Sequence, residues 1–454
     1  MHDKIKSRSR RAIPAVNKFL EALEQYDLPR PLIVDLVRRE LAKERKKFRV
    51  ESFPALLARV RVALDDLRRA RLQSVINGTG VIVHTNLGRA PLAPDAMKLL
   101  SVASAYTNLE YDLATGDRGH RGAYLERALA LVCGAESATV VNNCAATLVL
   151  IVRHFIATKP EVIISRGELV QIGGGFRIGE IIEAAGARLR EVGATNKTAL
   201  RDYERAIGKS TAMVLQVHRS NFFMEGFVDS PSTAELAKLA RKKRVPLVVD
   251  LGTGLLKPLD ESSEREPAPA EILKEGADLI CFSGDKLFGG PQAGIIAGRK
   301  RYLDALKREP LFRALRADKL CFAALQATVD LHLSSSSGNV PVLAMSQTSK
   351  DELRARAANI ITRLRGLPGR ISAGRGAVKT GGGTLPRAII SSISIDVQPE
   401  NCSANEFAAR MRAFTPPVIG YIANRTFKLD LRTIFPHQDD TVIDAIRAAC
   451  AGTH

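Results

Sequence analysis

Short apolar runs alternate with helical segments from about residue 78 onward, and this alternation constrains the fold more than any other sequence feature. The runs are nearly continuous in apolar residues, as strands buried on both faces of a sheet should be. Strands that alternate with helices predict a mainly parallel, doubly wound sheet, which binds ligands at the carboxyl ends of its strands. The runs are VIVHT, ATVVNN, EVIIS, AMVLQVH, PLVVDLG, DLICFS and AGIIAG, and AYLERALALV, TAELAKLARKK and AEILKEG lie among the helical segments.

The two ends of the chain have a different pattern of apolar residues. Before about residue 72, apolar residues recur at roughly helical spacing in LPRPLIVDLVRRELAKERKKF and FPALLARVRVALDDLRRARL. After about residue 320, a long helical region leads to a strand, AIISSISIDV, and to a hairpin predicted to turn at 423–425. We therefore predict three domains: a basic helical domain at 1–71, a large α/β domain at 72–320 and a smaller α+β domain at 321–454.

The charge of the chain is uneven along its length. The 454 residues include 67 Lys and Arg against 48 Asp and Glu, a net charge of +19. Residues 1–71 supply 19 basic and 10 acidic side chains, which is nearly half of that excess. Such a balance predicts a polyanionic partner at the N-terminal end, and the alternative is an ordinary solvated helix face.

Composition also argues against several classes of protein. The longest apolar run, ATLVLIV, is far short of the ~18 residues that a membrane span needs, and the N-terminus has charges but no apolar signal core. The cysteines show neither CxxC pairs nor disulfide-framework spacing, so we expect a cytoplasmic protein without a zinc site. They are Cys133, Cys144, Cys281, Cys321, Cys402 and Cys450.

A lysine and an aspartate are the first candidate site residues. Lys286 follows the apolar run DLICFS, and Asp250 ends the strand PLVVD, so both should lie at the carboxyl edge of the sheet. Alone, each would be read as a solvated charge or a turn residue. Together they match the Schiff-base lysine and the pyridine-nitrogen partner that pyridoxal phosphate requires of a protein.

The segment ATVVNNCAATL could supply the phosphate cradle of such a cofactor. It is a strand, a polar turn and a helix start, so backbone N–H groups at Asn143, Cys144 and Ala145 would face an anion at the positive end of the helix. Ser283 could add a hydroxyl group to the same phosphate. The nearby glycines, Gly284, Gly289 and Gly290, would let the chain pass close to the cofactor or would serve ordinary turns. No Walker motif occurs.

Several longer motifs together resemble bacterial selenocysteine synthase, the L-seryl-tRNA(Sec) selenium transferase family. The likeness runs from about residue 13 to 436, and its specificity comes from the number and order of the motifs. They are IPAVNKFLEA, INGTGVIVHTNLGRAPL, TNLEYDLATGDRGHR, SRGELVQIGGGFRI, REVGATNKTALRDYE, FSGDKLFGGPQAG, RALRADKL, GGGTLP and LDLRT.

The resemblance implies a fold type I pyridoxal phosphate enzyme, with Lys286 as the Schiff-base lysine and Asp250 as the partner of the pyridine nitrogen. The implied reaction replaces the seryl hydroxyl group of L-seryl-tRNA(Sec) with selenium from selenophosphate, through an aminoacrylyl intermediate. Arginine suits phosphate oxygens. His218 could touch the cofactor ring or could equally be a packed or capping histidine, whereas a structural role is expected for His84. The arginines expected to serve the selenium donor are Arg89, Arg313 and Arg316, joined by Arg118 and Arg121.

The resemblance also implies partners. Members of the family bind tRNA(Sec) through the N-terminal domain and assemble as homodecamers built from dimers, and we expect neither a membrane nor DNA as a partner. RNA of this kind is usually recognised by shape and backbone. Scattered basic residues would therefore suffice, such as Arg38, Arg39, Arg45, Lys46 and Lys47.

The sequence departs from the family pattern at three positions and leaves two other functions open. His120 stands where Ser is usual, and Arg219 and Phe222 stand where Thr and Tyr are more frequent, which puts the fine positioning of substrate in doubt. One alternative is a pyridoxal phosphate lyase or ammonia-lyase-like enzyme acting on a small amino acid or sugar phosphate, which would not need the basic N-terminal domain. The other is a nucleic-acid-binding regulator, which would not need arginines directed at the cofactor.

Overall fold

The structure is a computed structural model that describes residues 13–23, 26–47, 51–259, 266–334 and 336–452. The N-terminal segment 1–12, where the sequence predicts no signal core, lies outside these ranges. The chain divides into two compact units, Met1–Val75 and Ile76–His454. The boundary between the two units, after Val75, lies four residues beyond the limit of the N-terminal domain predicted at 71.

The first unit is helical. Its helices are α1 (Val16–Ala22), α2 (Arg30–Arg45) and α3 (Phe53–Arg69). They bury one apolar cluster that includes Phe19, Val37, Leu41, Leu56 and Val60. The apolar spacing seen in the sequence therefore corresponds to a packed helical core, as predicted.

An ion network ties α2 to α3. Arg59 contacts the carboxylates of Glu40 and Glu44 at 3.0 and 2.9 Å, and that of Glu51 at 2.9 Å. Burial raises the pKa of Glu44, but hydrogen bonds from the Glu51 N–H, Arg59 and Lys47 outweigh it, so the pKa lies below its usual value. A network of this kind orients the two helices.

The described part of the second unit contains a large sheet of seven strands, a smaller one of five and a pair of two short strands. The strands of the described residues, in chain order, are β1 (Ile76–Asn77), β2 (Val81–Val83), β3 (Ser137–Val141), β4 (Glu161–Ser165), β5 (Arg188–Val192), β6 (Thr211–Val217), β7 (Leu247–Gly252), β8 (Leu279–Ser283), β9 (Gly294–Gly298), β10 (Arg370–Gly381), β11 (Thr384–Gln398), β12 (Val418–Ile419), β13 (Tyr421–Ala423) and β14 (Thr426–Asp430).

The large sheet has the order β3-β9-β8-β7-β6-β4-β5. The strands β5, β4, β6, β7 and β8 are parallel, while β9 runs antiparallel to both of its neighbours, so the predicted, mainly parallel sheet is confirmed. Alternate residues of one strand enter different clusters: Val249 belongs to one apolar cluster and Val248 to another. Both faces of the sheet are therefore buried, which explains the continuous apolar runs.

Helices flank and connect these strands. Those of the described part of this unit are α4 (Pro94–Ala103), α5 (Ala123–Cys133), α6 (Cys144–Phe155), α7 (Ile178–Ala184), α8 (Leu200–Ala206), α9 (Thr233–Lys243), α10 (Pro269–Glu275), α11 (Lys300–Arg308), α12 (Pro310–Ala314), α13 (Lys319–Leu333), α14 (Pro341–Gln347), α15 (Lys350–Arg363), α16 (Ala404–Ala413) and α17 (Asp439–Ala451). None of the helices in the described ranges is both long and apolar enough to cross a bilayer.

The smaller sheet has the order β13-β14-β11-β10-β2. The hairpin β13–β14 turns at Asn424 and Arg425, both of which have positive φ, within the predicted turn. The run VIVHT supplies β2 to this sheet and not to the large one, because β2 pairs in parallel with β10. Helix α13 crosses the domain limit predicted at 320, and that limit stays a prediction.

Candidate active site

Segments that follow β2, β3, β4, β6, β7 and β8, together with the turn between β10 and β11, meet at the carboxyl edge of the large sheet. They surround a cavity of about 570 Å³, here called the Lys286 cavity. Eight of the residues predicted from the sequence line it: Arg89, Asn143, Cys144, Ala145, His218, Asp250, Ser283 and Lys286. The sheet topology therefore brings together residues that lie up to 197 positions apart in the sequence.

Asp250 lies at the floor of this cavity, near the end of β7, and is 8% exposed. The Gly252 N–H donates to its Oδ1 at 3.1 Å, and the Cys144 thiol lies 3.7 Å from the same oxygen. Burial raises the pKa of Asp250, and the opposing influences are Lys286, the Gly252 N–H and the thiols of Cys144 and Cys281. The carboxylate is thus held in a buried site by a small set of donors.

Lys286 follows β8 and lines the same cavity as Asp250. A Cβ placed on Gly252 would lie 3.9 Å from Lys286 Nζ, so the amine reaches the turn that holds Asp250. Ser283, at the end of β8, is buried and lines the cavity. An amine, a hydroxyl group and a carboxylate therefore converge, as the sequence predicted.

The glycines near Lys286 pack within the loop and do not line the cavity, which favours the second of the two roles left open by the sequence. None of Gly284, Gly289 and Gly290 lines the cavity. A Cβ on Gly284 would lie 2.8 Å from the Pro291 carbonyl oxygen, and one on Gly289 would lie 2.3 Å from Val340. The loop is therefore packed against protein at these positions, and Gly382 and Gly383 line the cavity instead.

The start of helix α6 lies where the sequence predicts an anion cradle. Asn143 caps this helix through its side chain, which accepts from the Ala146 N–H at 2.9 Å. The N–H groups of Cys144 and Ala145 belong to the first turn, where backbone donors have no partner within the helix. A helix of 12 residues adds a partial positive charge at this end, so the edge of the cavity suits a phosphate group.

His218 lies after β6 and lines the cavity beside Asp250. Its backbone N–H donates to the Asp250 carbonyl oxygen at 2.8 Å, and its Nδ1 is buried without a hydrogen-bond partner among the described residues. The pKa of His218 is lowered to about 4, mainly because the imidazole is buried and also because the positive charge of Arg219 lies nearby. The imidazole is therefore neutral at pH 7 and can lie against an aromatic ring without adding a buried charge.

These residues fit pyridoxal phosphate. The cofactor needs an amine for its aldehyde, a carboxylate for its pyridine nitrogen and donors for its phosphate. Lys286, Asp250 and the first turn of α6 supply these groups around one cavity, and the partnerless Nδ1 of His218 indicates a polar position that the folded chain alone does not satisfy.

Arg89 reaches the cavity from an unusual backbone conformation. Its φ is 65°, in the left-handed region that few residues other than glycine adopt. Its Nη1 contacts both carboxylate oxygens of Asp285, at 3.1 and 2.9 Å, and its side chain remains 35% exposed. Asp285, the residue before Lys286, thereby positions Arg89 at the wall of the cavity.

The other predicted arginines lie outside the cavity lining. Arg118, Arg121 and Arg316 surround Glu110 at 2.8, 2.8 and 3.1 Å, a group here called the Glu110 cluster. The Arg121 hydrogen bond, opposed by burial, lowers the pKa of Glu110. Arg313 is exposed on α12. The assignment of these four arginines to the selenium donor therefore stays a prediction.

The Glu110 cluster nevertheless neighbours the anion cradle through the backbone. Arg316 forms an isolated bridge with Val141, the last residue of β3. The Asn142 N–H donates to the Leu315 carbonyl oxygen at 2.9 Å. The segment that carries Arg316 is thus fixed beside the turn that leads into α6.

Three other positions raised by the sequence lie away from the cavity lining. His120 is exposed, with Nδ1 3.9 Å from Glu126, and Arg219 donates to the Ser230 hydroxyl group at 3.3 Å. Phe222 packs against the apolar cluster that contains Val217. His84 has a structural contact, since its carbonyl oxygen accepts from the N–H groups of Leu87 and Arg89.

Sequence reasoning missed several polar residues near the site. Asp285 and Glu110 lie within the motifs FSGDKLFGGPQAG and TNLEYDLATGDRGHR, but only the fold reveals the groups that they and Cys281 contact. Glu168 is 4% exposed and accepts from the Val217 N–H at 2.9 Å. Burial raises its pKa to about 7. Its position within the motif SRGELVQIGGGFRI was the available signal.

The chain is similar to a known family over most of its length. The family model for SelA, L-seryl-tRNA selenium transferase, matches residues 75–435. The chain belongs to this family. An L-seryl-tRNA(Sec) selenium transferase of Nitratidesulfovibrio vulgaris is 42% identical, over 97% of this chain and 98% of its own length. Relatives of the same name from Geobacter sulfurreducens and Aquifex aeolicus are 42% and 40% identical, over 96% and 94% of this chain and 98% and 96% of their own lengths.

Solved structures support the fold of this transferase family member. The structure of D-glucosaminate-6-phosphate ammonia-lyase matches with a TM-score of 0.59 and 20% identity, over 86% of this chain and 98% of that chain. The predicted fold class is thereby confirmed. At this level of identity, the likeness concerns the fold and carries no information about the substrate.

We expect Lys286 to carry the cofactor covalently, because its amine shares the cavity with Asp250 and the α6 cradle. Borohydride treatment of the purified protein should fix a pyridoxyl group on Lys286, as peptide mass spectrometry would show. Lys286→Ala should abolish this adduct, whereas Lys257→Ala, at an exposed lysine, should leave it unchanged. A fixed group on another lysine in the unsubstituted protein would contradict the assignment.

Proposed function

We propose that this protein converts L-seryl-tRNA(Sec) to L-selenocysteinyl-tRNA(Sec), with pyridoxal phosphate as cofactor and selenophosphate as selenium donor. The observation that carries the proposal is the identity of about 40% to selenium transferases along nearly the full length of both chains. The cavity agrees, since Lys286, Asp250 and the α6 turn meet there. In the overall reaction, selenium replaces the seryl oxygen and phosphate leaves with that oxygen.

A small-molecule lyase is the main alternative, and it fits the chain less well. The similarity to the ammonia-lyase structure is 20% in sequence and lies in the fold. The similarity to the transferases includes the basic helical unit, since the alignments cover 94 to 97% of this chain. A nucleic-acid-binding regulator would not require Lys286 and Asp250 to share one cavity.

The residues of the cavity have separate tasks in this proposal. Pyridoxal phosphate, when bound, supplies an electron sink for the bond changes at the seryl α-carbon. Asp250 would accept a hydrogen bond from the pyridine nitrogen and keep that nitrogen protonated. Lys286 Nζ would hold the cofactor and, when free, would take the α-proton and later return it. Neutral His218 would lie against the ring, and the α6 turn would bind the phosphate group.

The selenium donor needs a separate anion site. Arg89 Nη1 donates to Asp285, while none of the hydrogen bonds found among the described residues involves its Nε or Nη2. Around Arg316, desolvation and repulsion from Arg121 and Arg313 lower the pKa of the guanidinium group. Glu110 offsets one charge of this cluster. We infer that Arg89, Arg313 and Arg316 bind selenophosphate, assisted by Arg118 and Arg121.

We expect Arg313→Ala to weaken the binding of selenophosphate and to spare that of seryl-tRNA(Sec). The loss of one charge-assisted contact costs about 1.5 to 3 kcal/mol, or roughly one to two orders of magnitude in affinity. Steady-state kinetics should show a higher KM for selenophosphate and an unchanged KM for seryl-tRNA(Sec). Arg308→Ala, at an exposed arginine of α11, is the matched control. A rise in the KM for seryl-tRNA(Sec) alone would assign Arg313 to the tRNA.

The N-terminal unit is the proposed tRNA-binding domain. Its helix α2 exposes Arg38 and Arg45, which lie two turns apart on one face, and Lys46 follows directly. Lys47, in contrast, is paired with Glu44 at 3.1 Å and with Glu51. None of the salt bridges found among the described residues involves Arg38, Arg45 or Lys46, so these charges remain available for phosphates.

Removal of two of these charges should weaken tRNA binding and reduce its salt dependence. For Arg45→Ala with Lys46→Ala, the slope of log affinity against log salt should fall by about two units, because each phosphate contact contributes about one. Filter binding at several salt concentrations measures this slope. The pair Lys238→Ala and Lys242→Ala, exposed on α9, removes equal charge elsewhere. An equal loss in both pairs would indicate a general charge effect.

Purified protein tests the function as a whole. It should form selenocysteinyl-tRNA from seryl-tRNA(Sec) and selenophosphate, and it should leave seryl-tRNA(Ser) unchanged. Release of pyruvate and ammonia from free serine, without dependence on tRNA, would favour the lyase instead. The proposal includes a cytoplasmic homodecamer built from dimers, and a solution mass well below ten chains of 49.3 kDa would exclude that assembly.

A further inference from the structure

Two thiol groups accompany Asp250 at the floor of the Lys286 cavity. The parallel register of β7 and β8 pairs Asp250 with Cys281, so both side chains point to the same face of the sheet. Cys144, at the start of α6, approaches from above that face. The two sulfur atoms and one carboxylate oxygen lie within 4.8 Å of one another, and this is the only such group of potential metal ligands found among the described residues.

This arrangement has the dimensions of a zinc site. Zinc binds thiolates at about 2.3 Å and carboxylate oxygens at about 2.0 to 2.2 Å in tetrahedral geometry, which places a sulfur and an oxygen ligand about 3.5 Å apart. The Cys144 sulfur lies 3.7 Å from Asp250 Oδ1. Three protein ligands and one open position, which water from the cavity can occupy, form a complete zinc coordination sphere.

We propose that Cys144, Asp250 and Cys281 bind Zn²⁺ in the cofactor-free chain, in competition with pyridoxal phosphate. Two thiolates, one carboxylate and one Zn²⁺ leave a net charge of −1, which the nearby Lys286 ammonium group balances. On binding, each thiol releases its proton to solvent. Because Asp250 cannot serve both the metal and the pyridine nitrogen, occupancy by one excludes the other.

The surroundings hold the three ligands in place. Cys281 and Asp250 are fixed on paired strands, and the Gly252 N–H donates to Asp250. Thr147 donates to the Cys144 carbonyl oxygen at 2.6 Å and lies 3.9 Å from its sulfur. Such outer contacts orient metal ligands. Cys144 lines the cavity, so an ion can enter from there.

Sequence spacing could not predict this site. Cys144 and Asp250 are 106 residues apart, and Cys281 follows Asp250 by 31 residues. Zinc motifs recognisable in a sequence place their ligands two to five residues apart in pairs. The sequence-based expectation of no zinc site is therefore set aside by this proposal, because the sheet register supplies the proximity that local spacing lacks.

Cobalt provides the test, since Co²⁺ occupies zinc sites and shows thiolate charge-transfer absorption. The full-length protein is stripped of cofactor, dialysed and titrated with Co²⁺. One Co²⁺ per chain should bind with a thiolate band, and added Zn²⁺ should displace it. Cys281→Ser and Cys144→Ser should each lose the band. Cys402→Ser, which changes a half-buried cysteine of another cluster, should keep it.

A second arm measures the competition. Protein reloaded with pyridoxal phosphate should fail to develop the cobalt band, and Zn²⁺ should slow the return of visible cofactor absorption in the stripped chain. This competition experiment rests on the proposed function and its cofactor, whereas the cobalt titration does not. A failure of the proposed function can therefore be distinguished from a failure of the zinc-site proposal. Cofactor absorption also reports whether Cys281→Ser folds; if it does not, the half-buried Cys144→Ser decides.

Three outcomes would overturn the proposal. The stripped chain could bind no Co²⁺ with a thiolate band. The band could persist in Cys144→Ser or in folded Cys281→Ser, which would place the metal elsewhere. Finally, the cofactor-loaded protein could bind Co²⁺ as well as the stripped protein does, which would show that Asp250 is not shared.

Discussion

A buried carboxylate must be met by donors or positive charge, and Asp250 imposes this requirement on the rest of the site. Its burial raises its pKa, so the ionised form depends on Lys286, the Gly252 N–H and the neighbouring thiols. All of these reach it because parallel strands end at one edge of the sheet. The fold thus buries the Asp250 carboxylate and places the groups that stabilise its charge at the same edge of the sheet.

Much of this could be predicted from the sequence because the relevant signals are local. Continuous apolar runs identify buried strands, and the polar residue after each run identifies the ligand-binding edge. Asp250, Lys286 and the turn at Asn143 therefore converge as expected. The motif order that identified the family added the arginines, of which Arg89 lines the cavity within one chain.

The rest depends on contacts between distant segments, which have no local signature. The Glu110 cluster joins residues up to 206 positions apart. The proximity of Cys281 to Asp250 follows only from the register of their two strands. The short run VIVHT looks like the other strands, yet β2 pairs with β10 in the smaller sheet. For the glycines beside Lys286 the sequence left two roles open, approach to the cofactor or ordinary turns, and only the fold shows the close contacts with Pro291 and Val340.

The distribution of arginines fits the two kinds of anion proposed as ligands. In the first unit, Arg38 and Arg45 are exposed on one helix face. This suits a polyanion, whose phosphates attract exposed arginines through solvent in which salt screens the interaction. In the second unit, three arginines share one carboxylate, Glu110, so that they are held at short distances despite their mutual repulsion. A pre-formed group of this kind suits a small anion, because the charges need not be gathered when the ligand binds.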